Sequence, residues 1–174
     1  MSLFKLFGAE GSSPESEASD TDAIRRIVSK INDMEPARAR HIAAFAFILS
    51  RVANADRNIS DEEVREMERI VMDWGGLPEE QAVLVVQIAR NQNILFGGTD
   101  NFIVTREFAK SASRQEKIEL MNCLFAVSAA DNSISVVEET SIAEISRELG
   151  FSHREMIAIR SQYSDKRAVL RKED

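Results

Sequence analysis

Apolar residues along this chain recur every three or four positions, the spacing of one helix face, and nowhere alternate as a half-buried strand would. Ile24, Ile27, Val28 and Ile31 form one stripe, and Val64, Met67, Ile70, Val71 and Trp74 a second. Ile142, Ile145 and Leu149 form a third, and Met156, Ile159 and Tyr163 a fourth. The breakers Gly8, Gly11, Gly75, Gly76, Gly97, Gly98, Gly150, Pro14, Pro36 and Pro78 fall outside these stripes or at their ends. Ser-x-x-Glu precedes a stripe at Ser60/Glu63, Ser113/Glu116, Ser135/Glu138 and Ser152/Glu155. This is the capping box, in which serine and glutamate satisfy free N–H groups of the first turn. Ile59 with Val64 and Phe151 with Met156 add the hydrophobic staple.

The pattern predicts helices near 21–33, 36–55, 60–74, 78–91, 100–112, 113–130, 135–149 and 152–163. Pro36 and Pro78 suit first helical positions, although Glu35 and Leu77 are poor caps before them. Gly75 and Gly150 suit the left-handed residue just past a helix end. Helices 36–55 and 113–130 are apolar almost all round in their middles, so they must be covered on several sides and form the spines of a bundle. The fold class is all-α, a bundle of about seven or eight helices. Residues 1–20 read as an apolar N-terminal peptide followed by a disordered acidic linker, 21–163 as the helical domain, and 164–174 as a charged tail.

A shift of 75 residues lays the chain partly on itself. Leu49, Val52, Ala55, Asp56, Ile59, Ser60 and Glu63 meet Leu124, Val127, Ala130, Asp131, Ile134, Ser135 and Glu138, and Gly75 meets Gly150. Two pseudo-repeated units follow, each a buried helix, an acidic turn and an amphipathic helix. Units this small cannot hide their own apolar faces, so the two copies are expected to pack on each other.

Composition narrows the function. A formal net charge of −7 lacks the basic footprint that displaces counterions from phosphates, which argues against nucleic acid. The single cysteine, Cys123, cannot form an internal disulfide and reads as a small buried hydrophobe. No apolar run reaches bilayer length, and the acidic, serine-rich sequence after Phe7 is unlike a secretory signal, so the cytoplasm is the expected location. A phosphate-binding glycine loop, a His-Glu-x-x-His and a nucleophile elbow are all missing, and catalysis is not expected. His41 opens a buried helix and His153 lies inside a capping box.

Each acidic turn reads Ala-Asp-x-x-Ile-Ser-x-x-Glu, from Ala55 to Glu63 and from Ala130 to Glu138. Together with Arg147–Arg160, which reads RELGFSHREMIAIR, these turns resemble the TerB-like domains of bacterial tellurite-resistance proteins. A similar module begins some membrane-linked co-chaperones of the DjlA type. The resemblance covers about residues 38–163. Arg57 and Asn132 stand where that family's motif has glycine after the aspartate, and the co-chaperones' His-Pro-Asp does not occur. The resemblance implies an acidic all-helical module linked to tellurite or other chemical stress. It would join metal-related or membrane-associated complexes, without an established enzymatic activity.

Two sets of candidate residues follow. Asp56, Asn58 and Glu63, and likewise Asp131, Ser133, Glu138 and Glu139, could offer oxygens to a weakly bound divalent cation such as calcium or magnesium. The spacing is not that of an EF-hand, because Asp61 and Val136 stand where the glycine is needed, and Met67 and Ile142 where the last glutamate is needed. The competing reading is structural: the aspartates brace tight turns, while Glu63 and Glu138 complete capping boxes and favour the helix dipole. The second set is Leu3, Phe4, Leu6 and Phe7, four large apolar side chains at one end of the chain. They could dock on a protein partner, on a membrane surface or back on the bundle. The leading function is a binding or adaptor module with a protein partner, and the alternative is a cation-responsive protein.

Overall fold

A computed structural model describes residues 14–53, 60–91, 95, 101–130 and 136–173. Eight helices run through them: α1 (Pro14–Asn32), α2 (Pro36–Ala53), α3 (Asp61–Asp73), α4 (Glu79–Arg90), α5 (Asn101–Ser111), α6 (Arg114–Ser128), α7 (Val136–Glu148) and α8 (His153–Glu173). Helix accounts for 86% of the described residues and no strand occurs among them, so the fold is an all-α bundle.

The helix starts follow the capping chemistry. Ser60 and Ser113 each accept from the N–H of a glutamate three residues on, and that glutamate accepts from the serine's N–H. Ser152 and Glu155 do the same, at 3.2 and 2.7 Å. Ser135 of the fourth expected box lies outside the described residues, as does Ile59 of one staple. Phe151 and Met156 of the other staple both pack on the core.

Several expectations need correction at this local level. Glu35 is a working cap: its carboxylate accepts from the N–H groups of Ala37 and Arg38, both at 3.0 Å. A side chain one methylene longer than aspartate still reaches the free donors of a first turn. Pro78 is the capping residue itself, in extended conformation, with the helix beginning at Glu79. The left-handed glycine after α3 is Gly76, at φ 66°, and not Gly75. Gly150 is left-handed as expected, at φ 89°. There Phe151 N–H donates to Ser146 and Gly150 N–H to Arg147, the paired bonds of a Schellman motif.

The outer ends also differ from the expected bounds. Residues 14–20, read as disordered linker, belong to α1. Pro14 suits a first helical position. Residues 164–173, read as a charged tail, continue α8.

The core is built around α2 and α6, as their apolar middles require. Ile42, Phe45, Ala46, Phe47, Ile48, Leu49 and Val52 are buried on α2. On α6 an unbroken run from Leu120 to Ala126 is buried, with Ser128 beyond it. Helix α2 packs against α1, α4, α5, α6 and α7, while α6 packs against α2, α3, α7 and α8. A third helix is as deeply set: α4 buries Ala82, Leu84, Val85, Val86, Ile88 and Ala89, half of its length. Its apolar segment, Ala82–Ala89, is broken only at Gln87, so the sequence carried the same signal here as in α6. Each large side chain buried here stabilises the fold by about 1.5–3 kcal/mol before ordering costs. Cys123 is fully buried, and burial pushes its thiol up to about 12, which removes it as a nucleophile at neutral pH.

The helix bounds recur at the offset seen in the sequence. Helices α2 and α6 end at Ala53 and Ser128, α3 and α7 begin at Asp61 and Val136, and these two end at Asp73 and Glu148, each pair 75 residues apart.

Candidate functional site

Asp56, Asn58, Asp131 and Ser133 lie outside the described residues, and so do Leu3, Phe4, Leu6 and Phe7. What the structure places is the helix that follows each acidic turn. In α3 the Glu63 carboxylate accepts from Ser60 N–H at 2.7 Å and meets the Ser60 hydroxyl at 2.9 Å. These bonds hold Glu63 below the usual carboxylate range, the backbone one contributing most. Its charge is thus already engaged in closing the first turn.

In α7 the two acidic candidates are adjacent in the first turn. Glu138 is half-buried and Glu139 is exposed. Glu139 meets Arg160 of α8 at 2.5 Å, in a pair whose side chains are about half exposed. Helix periodicity then fixes the surroundings. Val136 is one turn before Glu139 on α7, and Ile157 is one turn before Arg160 on α8, so both flank the bridge on the outward side of this antiparallel hairpin. Val136 is 79% exposed, Val137 71% and Ile157 51%. Near the other end of the hairpin a depression of about 380 Å³ lies against Ala143, Arg147, Phe151, His153 and Met156. Among the described residues no three His, Cys, Asp or Glu side chains gather into a metal-ligating set.

A polar cluster that the sequence pattern did not single out lies on the opposite side of α7. Arg51, on the last turn of α2, is 9% exposed. Its Nη1 donates to Glu148 at 2.5 Å and to the hydroxyl of the fully buried Thr105 at 2.9 Å. Its Nη2 reaches Glu148 at 3.3 Å and lies 3.9 Å from Glu144. One guanidinium therefore ties α2 to α5 and α7. The available signal was an arginine just past the apolar stretch Ile42–Leu49 of α2 together with glutamates four apart on a later helix. At the repeat offset Arg51 corresponds to Ala126, so the tie has no counterpart in the other unit. A second long-range arginine contact joins Arg38 of α2 to the side-chain oxygen of Gln81 on α4.

Two further ionisable groups, His41 and Glu155, are structural in their geometry. His41 is half-buried, with its ring 4.9 Å from Phe108 and 6.5 Å from Phe45. Desolvation lowers its pKa, against the pull of Glu116 and Glu119. Glu155 accepts from Ser152 N–H and from Arg114, which hold it down to about 2.

These shifts set a pH dependence. Glu35, Glu63, Glu116 and Glu155 all titrate lower in the folded state than their ordinary value of 4.5. The unfolded chain therefore takes up protons first as pH falls. The stability from these groups is fully present above about pH 5 and is lost as pH drops toward their folded values. His41 acts in the same direction from about pH 6.5 downward. Thermal melts should show a declining midpoint from pH 6.5 to 2, with the decline flatter in Glu155→Gln. A midpoint that rises on acidification would contradict these cap geometries.

Taken together, the described residues form an all-helical module whose capping glutamates and Arg51 cluster serve the fold, and whose α7–α8 hairpin leaves apolar side chains in solvent. The chain belongs to the tellurite resistance protein TerB family, whose profile matches residues 41–161. No curated protein and no solved structure matches it significantly. Among the described residues no helix is long and apolar enough to cross a membrane.

Proposed function

We propose that this TerB-family chain is a non-catalytic binding module, an adaptor that joins other proteins in a tellurite or other chemical-stress response. The observation that carries the reading is the exposure of Val136 and Ile157, each one helical turn from a member of the Glu139–Arg160 bridge. Apolar side chains grouped on a polar-rimmed helix pair are the surface a protein partner would cover. Leu3, Phe4, Leu6 and Phe7 are the second candidate contact.

Pull-downs from tellurite-challenged native cells test this. Wild type is compared with a Val136→Ser/Val137→Ser/Ile157→Ser variant and with a variant carrying serine at positions 3, 4, 6 and 7. A specific partner recovered by wild type should fall at least about tenfold in one of the variants; each serine at the exposed positions 136, 137 and 157 leaves stability within about 0.5 kcal/mol, so a loss there is not unfolding. Identical recovery by all three proteins, or no specific partner at all, rejects the reading.

The second reading is a divalent-cation response at the acidic turns. What favours it is the seating of Glu138 and Glu139 together at the head of α7, directly after residues 131–135. The first turn is the weaker candidate on sequence, because Arg57 replaces the family motif's glycine less readily than Asn132 does. So few protein ligands leave water to complete the shell, which limits affinity to about 10⁻⁴–10⁻³ M. At ~100 times that dissociation constant, a site present only in the folded state adds about 2.7 kcal/mol. Melting titrations with calcium and with magnesium should then raise the midpoint of wild type and not that of Asp131→Asn/Glu138→Gln. No shift at tens of millimolar, or an equal shift in the double variant, leaves the turns as structure.

A further inference from the structure

We draw no further inference here: the strongest candidate, the outward face of the α7–α8 hairpin where Val136 and Ile157 stand exposed beside the Glu139–Arg160 bridge, belongs to the surface already described, and nothing in the structure shows what covers it.

Discussion

Arg51→Ala is expected to cost about 2–4 kcal/mol. Removing one partner of a buried pair strands the other, at about 3–5 kcal/mol when both are fully enclosed. The lower range applies because Glu148 keeps 20% of its side chain in solvent and Glu144 keeps 51%. For a chain of 174 residues this corresponds to a melting midpoint lower by roughly 5–15 °C. Arg51→Met combined with Glu148→Met behaves differently. Two flexible apolar side chains fill the same space with no stranded charge, so the pair should lie within about 1 kcal/mol of wild type. Denaturant melts of Arg51→Met, Glu148→Met and the double variant give the coupling directly. If Arg51→Ala alone stays within about 1 kcal/mol of wild type, the cluster is energetically a surface pair and does not tie α2 to α7.

Gly75→Ala should be the most costly substitution among the three described glycines, at about 1–3 kcal/mol. A Cβ there would stand 2.6 Å from the Val71 carbonyl oxygen and 3.0 Å from the Phe45 ring. Neither neighbour can yield cheaply. The Val71 oxygen already accepts the Gly75 N–H at 3.0 Å, and Phe45 is 1% exposed in the centre of the core. Overpacking against such groups forces backbone or rotamer shifts of that cost. Gly150→Ala offers the contrast. Its Cβ would meet nothing within 4 Å, leaving only the backbone strain of φ 89° at about 1–2 kcal/mol. Gly76→Ala adds a contact at 2.9 Å to the same kind of strain, but with the flexible end of Glu119. Urea melts of the three variants should place Gly75→Ala at or below the other two in stability. If it is the mildest of the three, the close approach of α3 to α2 at this point is wrong.

The two glycines show where reading by pattern stops. Gly75 and Gly150 correspond at the repeat offset, follow similar amphipathic helices and look interchangeable in sequence. Gly150 is left-handed because a Schellman motif ends α7. Gly75 is required because a neighbouring ring and carbonyl leave no room for a side chain, and Gly76 takes the left-handed conformation instead. Local sequence carries the demand for a chain reversal. It does not carry the distance to a phenylalanine thirty residues earlier.

The candidate site divides along the same line. Three capping boxes were legible because donor and acceptor lie three residues apart, and helix geometry alone brings them together. The engagement of Glu63 follows from its box in the same way. The pairing of Glu139 with Arg160 was not legible. It depends on the angle at which α8 returns along α7, which no short-range pattern states. The aspartates of the acidic turns and the apolar residues 3–7 lie outside the described residues, so their readings stand on sequence alone.

The sequence by itself determined the all-helical class, the eight helices to within a few residues of most ends, and the two apolar spines. These depend on periodicity, breakers and caps, whose physics acts over one or two turns. Tertiary structure decided the close contact at Gly75, the Arg51 cluster and the exposure of Val136, Val137 and Ile157. An apolar residue on a helix carries the same local signal whether a neighbour covers it or not. Burial is set by which helices pack together, and that is a property of the assembled bundle.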